Sequence, residues 1–296
     1  MATRGEPEIL AARLPAGLDS PLPFWAWGRR SAFRYIATID EINVRTNTTK
    51  AKLKAGETVF GCFVRYPDAS LVEVLGYQGW DFIIFDGEHG TLEPRDCENM
   101  VRAAELRDVT PIVRVTTNLP PVILRLMDSG AQGLHVPWVN SGAEAEAAVG
   151  AVKYYPRGIR GLAGIRAADY AQAIPFSEYV QQANRETLVV IHIETAEAVE
   201  RLPEIVAVDD VDVIFIGPTD LSHSLGVPGQ PQHPTVQAAM QRIVEVVADS
   251  KAALGIMVGS AQSAQQWHEL GARYIAIGLE SILSPAAREY LRTVRQ

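Results

Sequence analysis

Two carboxylates and an imidazole follow a short apolar run at residues 82–85. The segment Asp86-Gly87-Glu88-His89 brings together side chains that can accept, donate and relay protons. Asp86 stands directly after the run, where a barrel enzyme presents catalytic groups at the carboxyl end of a buried strand. A polar turn after a core strand would show the same pattern, so this segment alone leaves both interpretations open.

Three further apolar runs, at residues 111–114, 188–193 and 213–216, end in polar residues of related kinds. These are Arg114, Glu194 and the stretch Gly217-Pro218-Thr219-Asp220. If the runs are parallel strands of one barrel, their carboxyl ends meet on a single rim. Carboxylate oxygens on that rim are suitable ligands for a hard divalent ion. The set therefore predicts a polar site, although each residue alone is more typical of a surface or an ion pair.

The run at residues 188–193 also carries His192. Side chains two residues apart on a strand share a face, so Val190, His192 and Glu194 are predicted to point together into the barrel. His192 would then lie beneath Glu194. It either orients that carboxylate or is a hydrogen-bonded core histidine, and neither interpretation makes it a metal ligand.

Short apolar runs rich in β-branched residues alternate with helical segments from Asn47 onward, a pattern typical of buried parallel strands. The predicted strands are residues 59–64, 82–85, 111–114, 133–136, 188–193, 213–216, 255–258 and 274–277. The predicted helices are residues 48–54, 70–77, 94–106, 119–129, 143–153, 235–248, 261–270 and 285–294. This repeat predicts a (β/α)8 TIM barrel over residues 47–296. A doubly wound open sheet is the alternative, and the lack of GxGxxG after the first strand disfavours it.

Two segments depart from this repeat. Residues 1–46 combine prolines and glycines with an aromatic cluster, and they are predicted to form an N-terminal arm that packs on the barrel or on a neighbouring subunit. Residues 156–186 form a connection longer than a regular repeat needs, with a helical piece near residues 176–184. Connections of this length are usually functional or interfacial.

The composition bears on partners and location. A formal charge of −8 argues against nucleic acid and anionic membrane as partners, so an anionic substrate needs a local cation, either arginine or metal. The two cysteines, Cys62 and Cys97, are expected to be packing residues in a reduced setting. No apolar run approaches the roughly 18 residues of a membrane span, and the first residues lack the pattern of a signal peptide. The chain is expected to be a soluble cytoplasmic protein.

Lysine positions argue against one type of barrel aldolase. The lysines are Lys50, Lys52, Lys54, Lys153 and Lys251, and none ends a predicted strand. An aldolase that works through a Schiff base would need a lysine there. A carbanion made at this site therefore requires another source of stabilisation, and a metal ion is the obvious one.

Taken in order, the motifs resemble the class II, metal-dependent pyruvate aldolases of the HpcH/HpaI family. They are Asp86-Gly87-Glu88-His89, Val113-Arg114, Ile193-Glu194-Thr195, Phe215-Ile216-Gly217-Pro218-Thr219-Asp220-Leu221-Ser222 and Gln232-His233-Pro234. The similarity runs from about Asn47 to the C-terminus with compatible spacing, so the ordered set is specific. The resemblance implies reversible aldol cleavage of a 4-hydroxy-2-oxo acid to pyruvate and an aldehyde, by way of a pyruvate enolate stabilised by the metal.

The resemblance assigns the metal and the pyruvate to particular residues. Glu194 and Asp220 would be the two protein ligands of a divalent ion, Mg²⁺ or else Mn²⁺ or Co²⁺. Gly217, Pro218 and Thr219 would bind substrate, with the pyruvate carboxylate near the backbone N–H groups of Thr219 and Asp220.

The resemblance also assigns charge stabilisation and proton transfer. Arg114 would steady the enolate and the carbonyl of the acceptor. His89, oriented by Asp86, would move the proton of the acceptor hydroxyl, by way of water. Phe63 and Met257 would line the acceptor side of the pocket.

This sequence departs from the family pattern in three places. His192 stands where these aldolases commonly carry glutamine, and His135 stands where an aliphatic residue is usual. The N-terminal arm also extends beyond most members. An arm and an extra polar group resemble the macrophomate synthase branch, whose members decarboxylate oxaloacetate to the enolate and add it to a 2-pyrone. His135 is thus either an acceptor-binding residue or a core histidine.

Three functions follow from these observations. The first is the aldolase, and the second is oxaloacetate decarboxylation with a different electrophile. The third is a barrel that only binds a metal and a carboxylate ligand, which the pair of Asp86 and His89 disfavours because binding needs no proton shuttle. The resemblance also implies a homo-oligomer, usually a hexamer, for which residues 156–186 and the C-terminal helix are the candidate contacts.

Overall fold

The computed structural model describes residues 44–296, which form a closed barrel of parallel strands. The strands are β1 (Val59–Val64), β2 (Phe82–Asp86), β3 (Thr110–Arg114), β4 (Gly133–Val136), β5 (Leu188–Ile193), β6 (Val213–Ile216), β7 (Ala253–Val258) and β8 (Tyr274–Gly278). Each strand pairs with the next, and β8 pairs with β1. The predicted TIM barrel is confirmed, and the open sheet is wrong because this pairing leaves no sheet edge.

Helices connect the strands on the outside of the barrel, and one further helix precedes β1. They are α1 (Thr48–Lys54), α2 (Ala69–Gly76), α3 (Pro94–Glu105), α4 (Pro120–Met127), α5 (Gly142–Val152), α6 (Phe176–Glu186), α7 (Ala196–Glu200), α8 (Leu202–Val206), α9 (Pro218–Ser224), α10 (Pro234–Ala248), α11 (Ala261–Glu269) and α12 (Leu279–Val294). The connection before α6 also contains a 3₁₀ segment at Arg166–Ala171. Polar residues set several helix starts, as where the Ser141 hydroxyl accepts the Glu144 N–H at the start of α5.

The structure differs from the predicted helices in two respects. Helices α7, α8 and α9 were missed because five to seven residues contain too few turns to show an apolar period. Helix α12 begins at Leu279 rather than at residue 285, because Pro285 lies inside the helix instead of in its first turn.

Two apolar layers surround the strands. One fills the barrel interior, with Phe63, Phe82, Phe215 and Tyr274 as its large members. The other lies between the sheet and the helices and contains the remaining strand faces. Because both faces of the strands are buried, the strands read as continuous apolar runs in the sequence. Polar groups inside such a barrel therefore need partners within it.

The bottom of the barrel contains a buried lysine, Lys153, which has no solvent-accessible surface. Its Nζ donates to the backbone oxygens of Asn184 at 2.6 Å and Thr187 at 2.9 Å. Lys50 donates to the same Thr187 oxygen at 2.7 Å, so two amines meet at one acceptor. Burial, with the charge of Lys50 added, lowers the pKa of Lys153 from 10.5 to about 7.

The lowered pKa of Lys153 predicts a pH-dependent stability. Between about pH 7 and 10.5 the unfolded chain holds a proton at Lys153 that the folded chain has released. The free energy of unfolding therefore rises with pH in this window, by on the order of 1 kcal/mol per pH unit from this group. Chemical denaturation at pH 7, 8 and 9 should show this slope in wild type and its loss in Lys153→Met. Lys251→Met, which replaces an exposed lysine, should keep the wild-type slope. An unchanged slope in Lys153→Met would contradict a lowered pKa at Lys153.

Both cysteines lie in the outer apolar layer. Cys62 and Cys97 have no solvent-accessible surface, as expected of packing residues, and burial raises the pKa of each thiol to about 12. The Cys97 thiol lies 3.0 Å from the Ser129 hydroxyl.

The C-terminal helix α12 buries none of its residues within the described chain. Leu283, Tyr290 and Val294 on it are more than half exposed. A groove of about 750 Å³ lies beside its first turns, where mainly apolar residues of β1, β7, β8 and α11 form the walls.

The predicted N-terminal arm, residues 1–46, lies outside the described residues except for its last three positions. The backbone N–H of Val44 donates to the Gln182 side chain of α6 at 2.8 Å. Within residues 44–296, no helix is long and apolar enough to cross a membrane.

Candidate active site

A cavity of about 370 Å³ opens at the carboxyl ends of the strands. It is lined by Phe63, Arg65, Asp86, His89, Arg114, His192, Glu194, Phe215, Gly217, Pro218, Thr219, Asp220 and Met257. The structure thus brings together the sequence-predicted site residues, with the exception of His135. They come from six strands or the loops that follow them, which is the arrangement that a barrel rim provides.

Arg114, the last residue of β3, is held by two carboxylates. Its Nε and Nη2 donate to the two oxygens of Asp86 at 2.9 and 2.6 Å, and its Nη1 pairs with Glu88 at 2.9 Å. The guanidinium carbon lies 5.1 Å from the centre of the Phe63 ring. These contacts use three of the five N–H donors of an arginine. The remaining two are available to an anionic ligand, and the side chain that bears them is rigid.

Asp86 is buried at the end of β2 and accepts hydrogen bonds from three sides. Besides Arg114, the backbone N–H groups of Glu88 and His89 donate to its Oδ1, each at 3.1 Å. Burial opposes ionisation of this carboxyl, but Arg114 and the two N–H groups outweigh it and hold the pKa below its usual value. Asp86 is therefore ionised, and its hydrogen bonds with Glu88 and His89 stabilise the turn that follows it.

His89 lies exposed at the edge of the cavity. Asp86 accepts its backbone N–H, whereas the family resemblance implied that Asp86 orients the side chain of His89. Within residues 44–296 the ring itself has no hydrogen-bond partner. Both ring nitrogens can thus meet a substrate or a water in the cavity.

Glu194 follows β5 directly and is 2% exposed. Its Oε1 accepts the Trp138 backbone N–H at 2.7 Å, and its Oε2 lies 3.2 Å from Nδ1 of His192. Burial opposes ionisation here as well, but His192, the Trp138 N–H and Arg114 outweigh it and lower the pKa. Each carboxylate oxygen keeps a further lone pair for a ligand.

The carboxylate of Asp220 stands in the first turn of α9 and lines the same cavity as Glu194. The backbone of Gly217 passes so close to Glu194 that a Cβ at this glycine would lie 2.9 Å from Oε2. A side chain at residue 217 would therefore displace the carboxylate.

The donor set fits a hard divalent ion that keeps part of its water shell. Within residues 44–296, no group of three or more His, Cys, Asp or Glu side chains could hold an ion. Glu194 and Asp220 offer two carboxylates in a cavity that has room for water and substrate oxygens. Mg²⁺ is commonly bound in this way, by one or two carboxylates with water and substrate completing the shell.

His135 is the sequence-predicted residue that the structure separates from the cavity. It is fully buried on β4, where it pairs in register with Val190 of β5, below His192. Its ring makes edge contacts with those of Phe63 and Phe215. These contacts and the absence of His135 from the cavity lining favour the core-histidine interpretation.

Three residues at the site were not predicted from the sequence. Arg65, directly after β1, lines the cavity 3.8 Å from Asp86, and its place after an apolar run was a usable signal. In the sequence Glu88 was only part of a motif, with no role predicted for it, yet it is the second carboxylate that pairs with Arg114. Burial and the charge of Glu194 raise the pKa of Glu88 despite the opposing effect of Arg114.

Trp138, the third missed residue, ties two carboxylates together. Its backbone N–H donates to Glu194, while its indole N–H donates to Glu88 at 3.0 Å. This double contact depends on a left-handed backbone, with φ of 58°. Such a conformation is uncommon outside glycine, and no sequence pattern announced it here.

Comparison with known proteins finds relatives that cover most of the chain. The family model described as HpcH/HpaI aldolase/citrate lyase matches residues 59–285. The 4-hydroxy-2-oxo-heptane-1,7-dioate aldolase of Escherichia coli is 39% identical over 246 residues, which are 83% of this chain and 93% of the relative. A crystal structure of an HpcH/HpaI aldolase/citrate lyase family protein from Burkholderia cenocepacia has a TM-score of 0.81 at 33% identity, covering 85% of this chain and 100% of its own. Macrophomate synthase has a TM-score of 0.74 at 22% identity, covering 84% and 88%, and this likeness concerns the fold alone.

Proposed function

The chain belongs to the HpcH/HpaI aldolase/citrate lyase family, and from that membership we propose that it is a metal-dependent lyase acting on a 4-hydroxy-2-oxo acid. It cleaves this substrate reversibly to pyruvate and an aldehyde. The observation that carries the proposal is the single cavity that joins Glu194, Asp220, Arg114 and His89. Aldol cleavage next to pyruvate needs oxygen ligands, positive charge for the enolate and a group that moves a proton.

Glu194 and Asp220 are the proposed ligands of the divalent ion, with Mg²⁺ preferred over Mn²⁺ or Co²⁺. When bound, such an ion supplies Lewis acidity that polarises a keto oxygen. The substrate carboxylate lies at the start of α9, near the N–H groups of Thr219 and Asp220. First-turn N–H groups have no carbonyl partner within their helix, so they are free to receive an anion.

Arg114 provides the fixed positive charge of the proposed reaction. Its two N–H donors that neither carboxylate uses are available to an enolate bound in the cavity. Because Asp86 and Glu88 already hold the guanidinium, it needs no reorganisation during the reaction. Phe63 and Met257 form the apolar wall on the acceptor side of the cavity.

His89 is the proposed group for the proton of the acceptor hydroxyl. Its exposed ring can take this proton in cleavage and return it in synthesis, directly or through one water. Asp86 keeps the histidine in place through the backbone. An imidazole suits both directions because its ring nitrogens can both accept and donate a proton.

The alternative of oxaloacetate decarboxylation followed by addition to another electrophile shares the same enolate. In the sequence, the alternative rested partly on His135 as a binding group for that electrophile. His135 lies below the cavity, so it gives the alternative no support.

Metal removal tests the proposed function. Treatment with EDTA is expected to abolish pyruvate release from 4-hydroxy-2-oxo-heptane-1,7-dioate, and Mg²⁺, Mn²⁺ or Co²⁺ should restore it. Pyruvate can be followed with lactate dehydrogenase and NADH. His89→Ala should still bind Mn²⁺ by calorimetry, yet cleave about 10²- to 10⁴-fold more slowly. Turnover that survives chelation would contradict the metal assignment.

Self-association is part of the proposal. The exposed apolar residues of α12 and the groove beside it are suited to contact with a second copy of the chain. Family resemblance favours a hexamer, with the connection at residues 156–186 as a further contact.

A further inference from the structure

A chain of hydrogen bonds runs from the cavity into the barrel interior. Glu194 Oε2 lies 3.2 Å from His192 Nδ1, and His192 Nε2 lies 2.8 Å from His135 Nδ1. The other nitrogen of His135 lies 2.8 Å from the hydroxyl of Tyr274 on β8. All four residues are at most 2% exposed. The chain thus links a proposed metal ligand to a tyrosine that does not line the cavity.

The two ends of this chain determine where its protons lie. The ionised Glu194 carboxylate can only accept, so His192 carries its proton on Nδ1. Nε2 of His192 then accepts from Nδ1–H of His135. Nε2 of His135 in turn accepts from the hydroxyl of Tyr274. Every donor points toward Glu194.

A second proton on His135 would reverse part of the chain. Nε2 of His135 would then donate to Tyr274, and the tyrosine proton would have no acceptor among the described residues. A buried hydroxyl without an acceptor is unfavourable. Burial lowers the pKa of His135 well below its ordinary value and raises that of Tyr274 well above it, which keeps both groups neutral.

Ring packing makes the chain rigid. The Tyr274 ring stacks on Phe82 with centroids 4.1 Å apart, and Phe215 lies against both histidines at about 5 Å. The chain thus fixes the position of Oε2 of Glu194, while the Trp138 N–H fixes Oε1.

We infer that Tyr274 and His135 are positioning residues, which act through His192 to orient Glu194 for the metal, with both imidazoles in the Nδ1–H form. The inference rests on the proposed role of Glu194 as a metal ligand. Hydrogen bonds to a ligating carboxylate commonly tune metal affinity in this way.

Tyr274→Phe removes the end of the chain and keeps the ring that stacks on Phe82. Calorimetric titration with Mn²⁺ should give a Kd about 10-fold higher than in wild type, at the low end of the range for outer partners of metal ligands. The matched control is Tyr179→Phe, which also removes a buried hydroxyl, one that bonds Tyr154 away from the cavity. It should leave the Kd unchanged, even if the variant unfolds at a lower temperature.

Variants at His192 test the direction of the chain. His192→Gln can donate its amide to Glu194 and accept from His135, so it should bind Mn²⁺ nearly as well as wild type. His192→Leu can do neither, and its Kd should rise about 10- to 100-fold. Equal loss in both variants would show that polarity at this position does not matter, and would overturn the inference.

Solid-state ¹⁵N NMR of histidine-labelled protein reads the tautomers without any metal. Assignment by His135→Gln and His192→Gln should show protonated Nδ1 and unprotonated Nε2 in both residues. Nε2–H forms would overturn the inference. So would an unchanged Kd in Tyr274→Phe, and if Glu194→Gln then still abolishes Mn²⁺ binding, the proposed function stands. If wild type itself binds no Mn²⁺, the proposed function fails and the positioning role fails with it.

Discussion

Replacement of Glu194 by glutamine is expected to abolish metal binding and to lower kcat/KM by at least about 10³-fold, because Lewis-acid stabilisation supplies several kcal/mol to such reactions. Glutamine has nearly the same shape, so the change removes charge rather than volume. The Trp138 N–H and His192 both donate to this carboxylate. The amide group of glutamine would therefore face one of these donors, and the side chain would lose a hydrogen bond as well as its charge.

Calorimetry with Mn²⁺ and the pyruvate assay measure the two effects of Glu194→Gln separately. Glu197→Gln is the matched control, since Glu197 lies three residues away on α7 with a side chain 59% exposed. It should leave both quantities unchanged. A Glu194→Gln variant with normal Mn²⁺ affinity would remove this residue from the proposed metal site.

Replacement of Arg114 by lysine is expected to lower kcat about 10²- to 10³-fold, with little change in Mn²⁺ affinity. Lysine keeps the positive charge but lacks the planar guanidinium group. That group binds Asp86 and Glu88 and still has two N–H donors to offer a ligand. The ammonium group would pair with the two carboxylates and would no longer donate hydrogen bonds to the enolate. Steady-state kinetics with saturating metal measure this loss. Arg102→Lys, at an exposed arginine that pairs with Glu98, should behave as wild type.

The same substitution should alter stability in a pH-dependent way. Because Arg114 lowers the pKa of Asp86, the ionised carboxylate stabilises the folded chain above its usual pKa of 3.8. That contribution is lost as the pH falls through the lower folded value. The difference in unfolding free energy between wild type and Arg114→Lys should thus be largest near neutral pH and narrow below about pH 3.8. Wild-type kcat in Arg114→Lys would contradict the role of the guanidinium fork.

Much of the barrel was readable from the sequence because buried parallel strands are apolar on both faces. Strands β1, β4, β5 and β6 have the predicted ends. Once the strands were placed, the residues after them had to meet on one rim, so Asp86, Arg114, Glu194 and Asp220 were predicted together. Their roles remain proposals, while their proximity follows from the closed sheet.

The sequence did not predict how deep a side chain lies along the barrel axis, nor which backbone N–H groups contact the site. The two-residue period gave the interior face of His192 correctly, yet it says nothing of the level of a residue on a neighbouring strand. That level is set by the register of β4 against β5, which puts His135 beside Val190. The contribution of Trp138 likewise depends on its left-handed backbone and an N–H group that every residue type carries.

Reaction of the two buried thiols can be used to measure local unfolding of the chain. Alkylating reagents and oxidants attack the thiolate, and in the folded chain both Cys62 and Cys97 are shielded and keep their protons at neutral pH. Covalent labelling of either thiol therefore records an opening of the layer between strands and helices. Its rate follows the frequency of such openings, independently of any event at the catalytic rim.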